Sequence, residues 1–91
     1  DLVLEISDSS LRYDKQEKVG LYARAGIPEY WVLDLKSRRL EVHQDPGPEP
    51  DGAFGHSYRR RQTLHESDRV APQFAPQIFL SVGDLLPQVE P

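Results

Sequence analysis

LVLEIS, residues 2–7, combines aliphatic and β-branched side chains in a pattern typical of a β-strand, with a glutamate near its middle. Alternate side chains of a strand point to the same face. Glu5 therefore lies on the face of Val3 and Ser7, opposite the aliphatic residues 2, 4 and 6. This strand is the first element of the predicted fold, and its one acid has a defined side.

A helix is predicted next, over about residues 15–25. In DKQEKVGLYARAG, residues 14–26, Asp14 and Glu17 fit a capping box, in which their carboxylates accept hydrogen bonds from free N–H groups at the start of the helix. Gly26 supplies the left-handed residue that commonly follows a helix, and a proline two positions later prevents its continuation.

The rest of the chain predicts a mixed β-sheet. EYWVLDL, residues 29–35, is a second strand, and the strand, helix, strand order predicts a right-handed crossover between parallel strands. The further predicted elements are an antiparallel strand at 39–44, a flexible Pro/Gly loop at 45–55, a strand at 56–66, a short strand at 78–80 and a helical turn capped by Ser81. We therefore expect an α/β fold.

Length and composition restrict the class of protein. A chain of 91 residues forms one domain at most, and 37% hydrophobic with 29% charged residues is typical of a soluble protein. No apolar stretch approaches the ~20 residues that span a bilayer, and we expect a cytoplasmic protein without membrane contact. The chain opens inside a strand without an initiator methionine or targeting signal, so we expect a fragment of a larger fold. Because cysteine is absent, an oxygen-preferring metal is favoured over zinc. The net charge of −4 argues against non-specific attraction to nucleic acid but permits a local basic patch.

Glu5 and Lys18 are the residues that this geometry could bring together. At about 100° per residue, Lys18 falls on the apolar arc of the predicted helix with Val19, Leu21 and Tyr22. If the helix covers the Glu5 face, an acid and an ammonium meet near the carboxyl end of a parallel strand, where α/β folds bind ligands. Two alternatives stay open: a glutamate that faces water beside a solvent-seeking lysine, and a purely structural ion pair. Periodicity alone favours the solvent-facing glutamate.

The other basic and imidazole side chains have simpler interpretations. In the run of three arginines at residues 59–61, only Arg59 and Arg61 share a side of the strand. A charged, solvated edge strand is favoured there over a phosphate contact. The three histidines at positions 43, 56 and 65 lack the spacing of zinc ligands and are predicted at the surface.

Aromatic and acidic residues of the second strand are likewise given structural roles. Tyr30 and Trp31 are predicted to pack in the core and on the sheet, in preference to stacking on nucleic-acid bases. Asp34 is predicted to cap the turn that follows its strand, in preference to binding a metal.

Three motifs resemble one known family. They are E-x-S-x-S in LEISDSS (residues 4–10), D-x-x-x-K-x-x-x-Y-x-x-x-G in residues 14–26, and IPEYWVLD (residues 27–34). Together they resemble the Uma2 family, which is assigned to the restriction-endonuclease-like PD-(D/E)XK nuclease superfamily. The resemblance is close over residues 1–44 and looser over FAPQIFLSVGDLLP (residues 74–87). It implies a restriction-endonuclease-like sheet of which this chain holds only the C-terminal portion.

The resemblance also implies a site. In the superfamily, a first acid and a strand glutamate bind Mg²⁺, and a lysine two residues after the glutamate helps to activate water. Here Glu5 matches the glutamate, Ser7 occupies the usual lysine position, and Lys18 on the following helix replaces that lysine. Mg²⁺, or Mn²⁺, would be held by Glu5 and the Ile6 carbonyl, with Tyr22 lining the site.

The first acid of this family pattern has no good match in the chain. Asp1 lies about 13 Å from Glu5 along one strand, at ~3.3 Å per residue, which is too far for one metal. The resemblance therefore implies that the first acid lies upstream, that the domain is truncated, and that these 91 residues alone are inactive or need a partner chain.

Two functions follow as expectations. The first is a metal-dependent endonuclease that hydrolyses DNA phosphodiester bonds; the alternative is a non-catalytic interaction module that retains the nuclease fold. DNA is the expected partner. A homo-oligomer is also expected, because an incomplete sheet exposes an edge that favours self-association.

Overall fold

The structure is a computed structural model that describes residues 1–8 and 12–88, with side chains described for 1–8 and 15–88. Its elements, in chain order, are β1 Leu2–Ser7, α1 Arg12–Arg24, β2 Glu29–Asp34, β3 Arg39–Pro48, a 3-10 turn Ala53–Gly55, β4 His56–Leu64, β5 Arg69–Val70, β6 Leu80–Ser81 and α2 Val82–Leu85. Strands β1 to β4 form a four-stranded sheet in that order, and β5 pairs with β6.

The main sheet is mixed, as predicted. Strand β1 runs parallel to β2, whereas β3 and β4 continue the sheet as antiparallel neighbours. The register places Glu5 beside Val32 and Val32 beside Glu41, so these three residues form one row across the sheet. Side chains in such a row share a face. The row therefore turns two acids toward the same side.

Each face of the sheet carries its own apolar cluster. Helix α1 covers the Glu5 face, where the buried residues are Val19, Ala23, Tyr30, Val32 and Tyr58. The opposite face packs against β5, β6 and α2, and its buried residues are Trp31, Leu33, Leu40, Val42, Val70, Val82 and Leu86. Tyr30 and Trp31 are 1% and 2% exposed, which confirms their predicted core packing.

The helix differs from its prediction at its start and on its buried face. It begins at Arg12 instead of residue 15, so Asp14 lies inside the first turns and is not the cap. Leu21, predicted on the inner arc, is 49% exposed, while Gly20 is buried. A Cβ atom at Gly20 would lie 2.2 Å from the Ala53 carbonyl oxygen, so the 3-10 turn can approach the helix only because a glycine stands there.

The predicted irregular loop at 45–55 is wrong at both ends. Strand β3 continues to Pro48, and a 3-10 turn occupies Ala53–Gly55. Beyond Gln44, β3 no longer pairs with β2 and pairs with β4 alone. Pro46 and Pro48 therefore lie where the sheet has an open edge, and their missing N–H groups cost little. Asp45 adopts a φ of 62°, a left-handed conformation that aspartate tolerates better than most residues.

The C-terminal elements agree with their prediction in kind but not in detail. The short strand lies at Leu80–Ser81, two residues later than expected. Ser81 occupies the N-cap position of α2, yet its side chain makes no capping hydrogen bond. Within residues 1–8 and 12–88, no helix has the length and apolar character needed to cross a membrane.

Candidate acid–lysine site

Glu5, Lys18 and Tyr22 form the candidate site. Nζ of Lys18 donates to one carboxylate oxygen of Glu5 at 2.7 Å, and the Tyr22 hydroxyl donates to the other at 2.6 Å. The side chains of Glu5 and Lys18 are 22% and 42% exposed, so the pair lies at the margin of the core and stays open to solvent. The contact of acid and ammonium that helix geometry allowed is observed, whereas the solvent-facing glutamate that periodicity alone favoured is not. The geometry is also that of a structural ion pair, the other alternative.

Helical spacing explains this arrangement. Lys18 and Tyr22 are four residues apart on α1 and therefore project from the same face of the helix. Glu5 projects toward that face from β1, so each oxygen of its carboxylate meets a different donor. The carboxylate is thereby fixed in orientation as well as in charge.

The electrostatics of the site favour an ionised Glu5. Partial burial opposes ionisation, but the hydrogen bonds from Lys18 and Tyr22 outweigh it and hold the pKa of Glu5 below its usual range. Donation to Glu5 in turn raises the pKa of the Tyr22 hydroxyl. At neutral pH the site therefore holds a carboxylate, an ammonium and a neutral phenol.

A second acid and lysine meet two strands away in the same row of the sheet. Lys15 hydrogen-bonds Glu41 of β3, and Lys15 lies one helical turn before Lys18. Glu5 and Glu41 flank Val32 in the same row of the sheet, about 10 Å apart by strand spacing. The first turns of α1 thus connect to two strands of the sheet through two parallel ion pairs.

His43 belongs to this second pair and corrects a prediction. It was expected at the surface but is 3% exposed, because it lies in the same sheet face as Glu41 under α1. Its Nε2 atom lies 3.5 Å from a Glu41 oxygen, while its ring stacks on Tyr30 with centroids 5.4 Å apart. Neither ring nitrogen has a hydrogen-bond partner among the described residues.

These neighbours lower the pKa of Glu41 to about 2. The His43 ring and the Lys15 ammonium both stabilise its ionised form, and together they exceed the opposing effect of burial. Because the folded-state pKa lies below the ordinary value of 4.5, Glu41 stabilises the fold above pH ~4.5 and loses that contribution as the pH falls toward 2.

We expect Glu41→Gln to make the fold less sensitive to acid. The free energy of unfolding of the wild type should exceed that of the variant at pH 7, and this difference should shrink by on the order of 2 kcal/mol by pH 2.5. Urea unfolding at both pH values measures it. Glu49→Gln, an exposed acid, is the matched control and should show no such change. A difference independent of pH would contradict the assignment.

The structure also places the remaining predicted residues. Ser7 ends β1, and its backbone carbonyl accepts a hydrogen bond from the Leu35 N–H at 2.8 Å. The Asp34 carboxylate accepts from the N–H groups of residues 36 and 37, which confirms its predicted turn cap. His56 is partly buried and His65 is exposed.

The α/β fold, with a mixed four-stranded sheet and a helix on the face that carries Glu5 and Glu41, is consistent with a restriction-endonuclease-like fold. The sequence matches the Uma2 family, described as "Putative restriction endonuclease", over residues 1–83. The chain therefore belongs to the Uma2 family. No curated protein matches it.

Sequence reasoning missed the partnership of Lys15 with Glu41 and the burial of His43. RLEVHQ, residues 39–44, alternates aliphatic with polar residues, so a shared face for Glu41 and His43 could be read from the sequence. What the sequence does not show is the register of β3, which places that face beside Glu5. A lysine one turn before Lys18 was the other available signal.

Proposed function

We propose that this protein is a metal-dependent endonuclease of the PD-(D/E)XK superfamily that hydrolyses DNA phosphodiester bonds. The observation that supports it is the contact of Glu5 with Lys18 at 2.7 Å, in a chain that belongs to the family described as "Putative restriction endonuclease". An ionised, oriented carboxylate beside an ammonium supplies a metal ligand and a cation for a phosphate. A cytoplasmic location is part of the same proposal.

The oxygen atoms at Glu5 are of the type that Mg²⁺ prefers, although they supply only part of its ligand set. This ion binds oxygen, keeps several waters, and is commonly held by one or two carboxylates together with substrate phosphates. The Ser7 carbonyl points toward β2, where it accepts from Leu35. Successive carbonyls of a strand alternate in direction, so the Ile6 carbonyl points away from β2. Glu5 and Ile6 thus offer two oxygens, and bound Mg²⁺ would polarise the phosphate and acidify a water.

Lys18 and Tyr22 have separate roles in this proposal. The Lys18 ammonium has three N–H donors, so it can contact Glu5 and a phosphate oxygen together and neutralise the charge that develops during hydrolysis. Tyr22 is assigned as a positioning residue, because its hydroxyl donates to the second Glu5 oxygen and so orients the carboxylate. Ser7 leaves the usual lysine position without a cation.

A further acid is needed to complete the site. Among the residues that the structure describes, no group of three or more histidine, aspartate and glutamate side chains is placed to hold a metal ion. We therefore propose that residues 1–91 alone are inactive, and that the missing acid comes from upstream sequence or a partner chain. A homo-oligomer is one way to supply it.

The test compares residues 1–91 with the complete gene product. Supercoiled plasmid is incubated with each in Mg²⁺, in Mn²⁺ and in excess chelator. We expect metal-dependent nicking by the complete product alone. Cleavage by residues 1–91 that Glu5→Ala abolishes would overturn the missing-acid proposal. Neither cleavage nor Mg²⁺ binding by the complete product would instead favour a non-catalytic interaction module that retains the nuclease fold.

Tyr22→Phe tests the positioning role. Loss of the donated hydrogen bond should raise the pKa of Glu5 and cost about 1 kcal/mol of stability. Carboxyl NMR titration and urea unfolding measure the two effects. Tyr58→Phe is the matched control, because the Tyr58 hydroxyl donates instead to the Ile27 carbonyl at 2.7 Å. That variant should lose similar stability and leave the pKa of Glu5 unchanged; equal pKa changes in both would refute the role.

A further inference from the structure

A groove lies beside the Glu5 site, between the start of α1 and strands β3 and β4. Its volume is about 500 Å³, and its walls include Lys15, Glu41, His43, Asp51 and Arg61. The 3-10 turn closes one end, where it contacts α1 at Gly20. Both the helix and the sheet that carry the proposed catalytic residues therefore also build this groove.

Arg61 is the cation that this groove offers to a ligand. Lys15 is already paired with Glu41, whereas Arg61 is exposed and forms no salt bridge with any described residue. Arg61 pairs across the strands with His43, which places it on the α1 side of the sheet, and both residues line the groove. Asp51 contributes an opposing negative charge.

His43 lines the groove beside Arg61 but is only 3% exposed. Its Nε2 atom lies 3.5 Å from a Glu41 oxygen, and its ring stacks on Tyr30, so the imidazole is held by neighbours within the fold. Arg61, which is exposed, is therefore the side chain of this row that a ligand in the groove can reach.

The register fixes how far the groove lies from the proposed site of cleavage. Val3, Tyr30, His43 and Arg61 form a row across all four strands, one row from Glu5. Three strand spacings of ~4.8 Å give about 14 Å between β1 and Arg61. For a duplex whose axis follows this row, phosphates of one strand advance ~3.4 Å each, so this separation corresponds to about four nucleotides.

We propose that Arg61 binds a backbone phosphate of the DNA substrate in this groove, about four nucleotides from the phosphodiester at Glu5. The inference rests on the proposed function and extends it from the site of cleavage to the path of the substrate. Guanidinium is well suited to the role because it can donate two parallel hydrogen bonds to one phosphate. The contact positions DNA and reads no sequence.

The neighbouring arginine provides a matched control. Arg60 has the same charge and exposure, but it lies on the opposite side of β4, beside Gln44. Arg61→Ala should weaken binding of a fluorescein-labelled duplex by about tenfold and lower the salt slope by about one, whereas Arg60→Ala should change neither by more than about twofold. Asp51→Asn should tighten binding, because it removes from the groove a negative charge that repels the phosphate.

Fluorescence anisotropy of the complete gene product in excess chelator measures binding without cleavage. Equal losses for Arg61→Ala and Arg60→Ala would overturn the inference. If the wild type cleaves plasmid while Arg61→Ala binds DNA normally, the inference fails and the proposed function stands. If the wild type neither binds nor cleaves DNA, both fail. Circular dichroism of each variant confirms that the fold is retained.

Discussion

In a site completed by the proposed further acid, Glu5→Gln is expected to lower Mg²⁺-dependent DNA cleavage by at least about a hundredfold. Glutamine preserves the size of the side chain, and its carbonyl can still accept one hydrogen bond from Lys18 or Tyr22. What it removes is the negative charge that attracts Mg²⁺. The loss should therefore appear in metal binding as well as in turnover.

Glu17→Gln is the control for this substitution. Glu17 precedes Lys18 on α1 and is exposed to solvent. Its replacement by glutamine removes one negative charge, as Glu5→Gln does, but at a position away from the carboxylate of the site. Plasmid nicking measures turnover, and calorimetric titration with Mg²⁺ and Mn²⁺ measures binding. Glu5→Gln should impair both, and Glu17→Gln should impair neither. Full cleavage by Glu5→Gln would rule out Glu5 as a metal ligand.

Glu29→Ala is expected to lower the free energy of unfolding by about 3–5 kcal/mol, a large part of the total for a small domain. Glu29 is 1% exposed and begins β2. Its carboxyl group accepts from the Trp31 indole at 2.9 Å, the Gln44 amide at 2.8 Å and the Gln73 backbone N–H at 2.8 Å. Alanine would leave these three donors without their acceptor, and it would release the segment around Gln73 from the sheet.

Two further variants separate the hydrogen bonds from the loss of a charge. Glu66→Ala removes an exposed acid that pairs with Arg38 at 2.6 Å, and because solvent screens this pair it should cost far less stability than Glu29→Ala. Glu29→Gln keeps one acceptor oxygen but turns an N–H₂ group toward donors, so it should fall between the two. Urea unfolding at pH 7 compares them. Equal costs for Glu29→Ala and Glu66→Ala would show that the buried network adds nothing.

The sequence was most informative where local patterns decide the structure. The alternation in residues 2–7, the glycine after α1 and the apolar run at 29–35 predicted a strand, helix and parallel strand that the structure confirms. These features depend on backbone periodicity, which a short stretch of sequence contains in full. Periodicity also placed Lys18 on the arc that could meet Glu5, but by itself it favoured a solvent-facing glutamate, so the observed contact was not decided by local pattern.

The sequence was least informative where distant segments meet. Gly20 is buried because Ala53 approaches it from the far end of a hairpin, and no pattern within α1 signals that approach. The same holds for His43, whose burial depends on how α1 crosses the sheet. Glu29 is a polar residue that would be placed at the surface on average, and only its three partners explain its burial. Long-range register, which local periodicity does not encode, determines each of these.

The close contact between Gly20 and Ala53 limits which insertions the β3–β4 hairpin can accept. Surface hairpins usually accept inserted residues at little cost. Here the hairpin tip contacts α1, the helix that carries Lys15 and Lys18. An insertion between Pro48 and His56 would therefore displace that helix. The length of the hairpin therefore helps to set the position of α1, and with it the distances from the two lysines to Glu41 and Glu5.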